Sequence, residues 1–155
     1  MCSNVTRLNL THPAGTIVYQ CVSYVIRDSH IFTQMTRINV VPPNELCNKH
    51  LIAEYRELPR VFRLAREDAN IPAEYTLGKG HVTFFYNKLA YLISRQTLII
   101  EECKHRGFDV KFNASSLKEM NKNERLYGDY EPTEEALKIN RKRIADRMNS
   151  FRSSL

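Results

Sequence analysis

The chain has 155 residues, 43% of them hydrophobic, which suits one globular domain with at most a short appendage and excludes wholesale disorder. Its 23 Lys and Arg against 17 Asp and Glu leave a net charge of +6, compatible with a polyanionic partner but not diagnostic of one. No apolar run is long enough to cross a bilayer, and the four scattered cysteines (Cys2, Cys21, Cys47 and Cys103) form no Cys-x-x-Cys pair and have no histidine in ligand spacing beside them, so neither a metal nor a cofactor is expected.

Residues 1–34 are foreign in composition to the rest. They contain no Lys and no Glu, and their only charges are Arg7, Arg27 and Asp28. Residues 16–26 (TIVYQCVSYVI) are apolar and β-prone between a Pro-Ala-Gly turn and Asp28-Ser29, as an added strand would be. The segment has neither the basic start of a secretory signal nor the Arg-rich amphipathic pattern of an organelle presequence. It is read as an N-terminal extension, and residues 35–155 as the functional domain.

From Met35 onward the periodicity is helical, and the fold class expected is all-α: a compact domain of about three main helices. The first helix is expected to begin after Pro42-Pro43, with Asn44 as N-cap and Glu45 in the first turn. Leu51, Tyr55, Leu58, Phe62 and Ala65 then recur at 4, 3, 4, 3 as one apolar face, which Pro59 interrupts and should kink. A second helix is expected from about Gly80 to Arg106, with Val82, Phe85, Leu89, Leu92, Gln96, Ile99 and Cys103 on its buried side and Gly107 closing it. A third opens at Pro132-Thr133, with Glu134 and Glu135 in its first turn, and runs to about Met148.

The chemistry legible from spacing alone is modest. On the first helix His50, Glu54 and Glu57 share a face, and Arg56, Arg60 and Arg63 form an adjacent stripe. Either this is a solvated surface of intrahelical ion pairs, or it is a carboxylate held beside a phosphate-reading row. The third helix carries Lys138, Arg141, Lys142, Arg143 and Arg147 against Asp146 alone, with the same two readings. His81, after Gly80, is read as structural. Gly78-Lys79-Gly80 lacks the flanking strand and spacing of a phosphate-binding loop.

Longer blocks are more specific. Met35-Thr36-Arg37-Ile38-Asn39 is followed by AEYRELPRVF at 53–62, LGKGHVTFFY at 77–86, Arg95-Gln96, Glu102-Cys103, Arg106-Gly107-Phe108 and Gly128-Asp129-Tyr130. In this order they closely resemble the pyrimidine-dimer DNA glycosylases and AP lyases of the phage endonuclease V type, over most of residues 35–145. The resemblance implies a compact helical domain whose nucleophile is the α-amine of a threonine exposed by removal of the initiator methionine, here Thr36. It places the catalytic carboxylate on Glu57 and the DNA-binding residues on Arg37, His50, Arg56, Arg60 and Gln96. It further implies no metal, a partner of double-stranded DNA containing pyrimidine dimers or abasic sites, a monomer, and a cytoplasmic place of work in a bacterium or the host cell of a virus.

Two departures bear on specificity: the segment between Phe62 and Gly78 is shorter than in the phage enzyme, and its Tyr-rich C-terminal tail is absent. Position matters more. Behind 35 other residues the Thr36 nitrogen is an amide, which forms no Schiff base. Three readings follow: translation starting at Met35, processing between Met35 and Thr36, or a genuine extension, giving a chain that recognises distorted duplex without cutting it or one that uses another amine such as that of Met1.

Overall fold

The computed structural model describes residues 38–111 and 113–153. Three α-helices carry the fold: α1, Asn48–Leu64; α2, Leu89–His105; and α3, Glu134–Ser153. Short 3₁₀ turns at Pro43–Glu45, Thr83–Phe85, Ala114–Glu119 and Glu124–Leu126 connect them. Among the described residues there is no strand, only one antiparallel bridge between Lys88 and Tyr127. The all-α class expected from the periodicity is what the chain adopts. The β-prone residues 16–26 lie outside the described residues.

Helix α1 buries the stripe read from its sequence: Leu51, Tyr55, Leu58, Phe62 and Ala65 are all core residues. Its start differs from expectation. Asn44 falls in the 3₁₀ turn after the two prolines, Leu46 turns back to extended backbone, and α1 begins three residues later with Cys47 at the N-cap. The helix runs through Pro59 without a break. Proline has no N–H to give to the carbonyl four residues back, and the Nε2 of Gln96, from α2, donates to that orphaned Tyr55 carbonyl at 3.4 Å. At the other end Asn121 Nδ2 donates to the carbonyls of Phe62 and Ala65, both at 3.0 Å, satisfying groups that a helix C-terminus leaves open.

Helix α2 is shorter than its apolar pattern suggested. Residues 80–88 follow the helical stripe but fold as turns, because the backbone of Lys88 (φ −129°, ψ 39°) leaves the helical region and Asn87 gives its carbonyl to the amide of Gly128. A Cβ on Gly128 would lie 2.4 Å from that carbonyl oxygen, so this close approach requires glycine. The end of α2 is as expected. Gly107 adopts φ 78°, its N–H bonds Lys104 and that of Phe108 bonds Cys103, the paired bonds of a Schellman motif. Arg106 joins this end to the start of α1 through the carbonyls of Leu46 and Pro43 and the Asn48 side chain. The third helix opens where expected, with Thr133 Oγ1 accepting from Ala136, and continues past Met148.

Between α1 and α2 the core contains an ion pair. Arg95 and Glu54 are both fully buried, with Nε to Oε1 at 2.8 Å and Nη2 to Oε2 at 3.1 Å. Removing one partner of such a pair strands the other charge away from water. Glu54→Ala should therefore lower stability by about 3–5 kcal/mol, read as the urea midpoint. Glu67→Ala, which removes an exposed contact with Arg125, should leave the midpoint in place. Equal midpoints for Glu54→Ala and wild type would contradict the burial of the pair.

Candidate active site

Residues 38–41 form no regular secondary structure yet are buried, so their backbone groups must find partners elsewhere. Three elements supply them. The Ile38 amide donates to His81 Nε2 at 3.3 Å. Because Nε2 accepts there, Nδ1 carries the ring proton and gives it to the Thr76 carbonyl, 2.9 Å away. The amides of Val40 and Val41 both donate to Asn140 Oδ1 on α3, at 3.0 and 3.3 Å. Arg95 Nη1 donates to the Val41 carbonyl. Asn39 closes the network, donating to Glu54 Oε2 at 2.9 Å and accepting from Asn140 Nδ2 at 3.1 Å.

Burial works against the Arg95 charge, but Glu54 beside it holds the guanidinium protonated, above arginine's ordinary range. Burial, reinforced by the Glu54 carboxylate, pushes the Tyr75 phenol up. Tyr91 is raised chiefly by burial as well. Tyr75 packs edge-to-face with His81, Phe84 and Phe85, and Tyr91 stacks on Phe85 and meets Tyr130 edge-on, an aromatic wall beside the ion pair.

Glu57 lies one turn beyond Glu54 on α1. At about 100° per residue it sits roughly 60° round the helix from Glu54, and Arg60 roughly 60° farther in the same direction. Its side chain is only 17% exposed, against 59% for Arg60, whose Nη1 is 4.0 Å away. Arg56, Arg60 and Arg63 are exposed, so the cationic stripe read from the sequence is a surface feature.

The remaining residues singled out from the sequence are placed differently. His50 is 1% exposed and Gln96 fully buried; neither side chain lies on the surface. Gln96 is held to α1 as described, with its Oε1 buried and without a hydrogen bond among the described residues. His50 Nδ1 lies 3.1 Å from Cys47 Sγ. Thr36 and Arg37 lie outside the described residues. No group of three or more His, Cys, Asp or Glu among the described residues is placed to hold a metal ion. Sequence reasoning gave no special weight to Arg95, Asn39 or Asn140. The available signal was a polar residue on an apolar stripe: Asn140 stands four residues from both Ala136 and Ile144.

A family model described as pyrimidine dimer DNA glycosylase matches residues 35–116, just over half of the chain. The chain belongs to that family. The matched segment spans residues 38–41, α1 with Glu54 and Glu57, and α2 with Arg95 and Gln96, and ends before α3. A glycosylase of this family is a DNA-repair enzyme, with DNA as its substrate. Among the described residues no helix is long and apolar enough to cross a membrane.

The Cys47–His50 pair has a measurable consequence. Burial alone would raise the Cys47 thiol, but hydrogen bonding and charge from His50 bring it down to about 7, against about 8.5 for a free thiol. A lowered folded pKa means that the thiolate's contribution to stability is fully present above the unfolded value and is lost as pH falls through about 7. The thiolate absorbance that Cys47→Ala removes should titrate near 7, and His50→Gln should move that midpoint upward. A midpoint unchanged in His50→Gln would contradict the pairing.

Proposed function

We propose that this glycosylase removes the damaged base at UV-induced pyrimidine dimers and then cuts the strand as an AP lyase, using the α-amine of Thr36 in a chain that begins with it after loss of Met35. The observation that carries the reading is the clamping of residues 38–41. Thr36 is two residues from Ile38, so its nitrogen lies within about 7 Å of the Ile38 backbone. The same clamp binds Glu54, one turn before Glu57 on α1. A nucleophile at position 36 would be tethered to a clamp that reaches α1 one turn before Glu57, the one partly exposed carboxylate of that helix.

The chemistry suits such an amine. Its pKa is about 8, against about 10.4 for lysine, so at pH 7 roughly a tenth is unprotonated without any help from burial. Its lone pair attacks C1′ of the damaged nucleotide as the glycosidic bond breaks, and the departing base takes the electron pair and a proton. The sugar ring opens, its oxygen gaining a proton, to leave an iminium joining Thr36 to C1′. Loss of a C2′ proton then expels the 3′ phosphate by β-elimination, and water releases the amine. Glu57 stabilises the cationic sugar and the iminium and moves protons between these steps. Arg37, Arg56 and Arg60 grip phosphates around the lesion. His50 and Gln96, being buried, act on DNA binding through what they hold, the start of α1 and the Tyr55 carbonyl. The duplex must bend and extrude a nucleotide, at a cost that the weakened stacking of a dimer lowers.

In a chain that starts at Met1 the Thr36 nitrogen is an amide. Such a chain would recognise distorted duplex without forming a Schiff base. Borohydride added to Met1-started and Met35-started proteins on abasic duplex should trap a covalent adduct with the Met35 form alone; adducts with neither form would defeat the lyase assignment. Glu57→Gln should still bind UV-irradiated duplex but lose its turnover. Cleavage at the wild-type rate would show that Glu57 has been given the wrong role.

A further inference from the structure

The loop Gly78-Lys79-Gly80 is built with unusual definition for a surface turn. Both glycines take left-handed backbone, φ 85° and 90°, which other residues adopt only with strain. Gly80 packs where a Cβ would meet Pro72 Cγ at 3.0 Å, and its carbonyl accepts from both the Phe84 amide and Thr83 Oγ1 at 3.0 Å. The His81 amide closes the turn on the Gly78 carbonyl at 3.2 Å. A fixed frame thus presents a single exposed side chain, Lys79.

Two observations give that lysine a direction. Among the described residues Lys79 has no carboxylate partner, unlike Arg60, Arg66, Arg95, Arg106, Lys122, Arg125 and Arg141. And the residue two places on, His81, is the one whose ring holds the Ile38 amide. The Lys79 backbone is therefore within about 7 Å of that of His81, and His81 holds the first described residue of the clamp, Ile38. Going round α1, the arginine stripe lies beyond Glu57 on one side, and Glu54, bonded to Asn39, lies on the other.

We propose that Lys79 is a DNA-backbone contact, gripping a phosphate from a loop separate from the helix that carries Arg56 and Arg60. The inference rests on the DNA glycosylase reading and adds to it a residue from a different loop. A lysine is a point charge suited to phosphate without base selectivity, and a glycine-framed turn holds it in position with little loop entropy to lose on binding. Anchoring from two elements also resists the sliding of the duplex while it is bent.

The test is the salt dependence of binding by the full chain to a duplex carrying a tetrahydrofuran abasic analogue, which has no C1′ oxygen and cannot form a Schiff base. Each phosphate contact contributes about 0.9 to the slope of log affinity against log salt. Lys79→Gln should reduce the slope by about that amount, so that a fourfold rise in salt costs it about threefold less affinity than it costs the wild type. Lys79→Arg should restore the slope. Lys104→Gln removes an exposed cation from the far end of α2 and should leave the slope unchanged. A wild-type slope in Lys79→Gln, or an equal fall in Lys104→Gln, overturns the contact while leaving the DNA glycosylase reading in place. Salt-insensitive or absent binding by the wild type overturns both.

Discussion

The buried pair of Glu54 and Arg95 is the interaction on which the rest of the structure depends. Two charges inside a core are costly unless every donor and acceptor is matched. Here the carboxylate takes two bonds from the guanidinium and one from Asn39, and the guanidinium gives a third bond to the Val41 carbonyl. The pair therefore does more than join α1 to α2. It obliges residues 38–41 to pass between the helices in one conformation, and Asn140 extends the obligation to α3. A fully apolar core would pack these helices without specifying the path of that segment.

The second constraint is Pro59. A proline in mid-helix leaves a carbonyl unpaired, and in most helices this bends the axis or admits water. Gln96 supplies the missing donor from the neighbouring helix, so α1 continues and Arg56, Arg60 and Arg63 keep one surface row on both sides of the proline. The same side chain had been grouped with DNA-binding residues on resemblance. It is fully buried, with its Nε2 on the Tyr55 carbonyl.

The helices were legible because burial follows a 3.6-residue period, and the α1 stripe from Leu51 to Ala65 is buried throughout. The boundaries were less so. Residues 80–88 keep a helical apolar pattern, yet the long-range bond between Asn87 and Gly128, 41 positions apart, ends that pattern as turns. The exposure of Arg56, Arg60 and Arg63 followed the stripe read from spacing, whereas the burial of His50 and Glu54 on the adjacent face did not. The partnership of Asn39, Glu54, Arg95 and Asn140 did not, since it joins four elements from positions up to 101 apart in the chain. Thr36 and Arg37 were identified by resemblance and lie outside the described residues, so their roles stand on chemistry and on the anchoring of Ile38.

If the clamp on residues 38–41 sets the position of the Thr36 amine, loosening it from α3 should impair chemistry more than binding. The direct measurement is the single-turnover rate of strand cleavage on an abasic duplex by Asn140→Ala in the Met35-started protein, at saturating enzyme. The rate should fall by about tenfold or more, equivalent to at least about 1.4 kcal/mol in the barrier, with duplex affinity retained. A wild-type rate in that variant would contradict the claim that the buried network positions the catalytic amine.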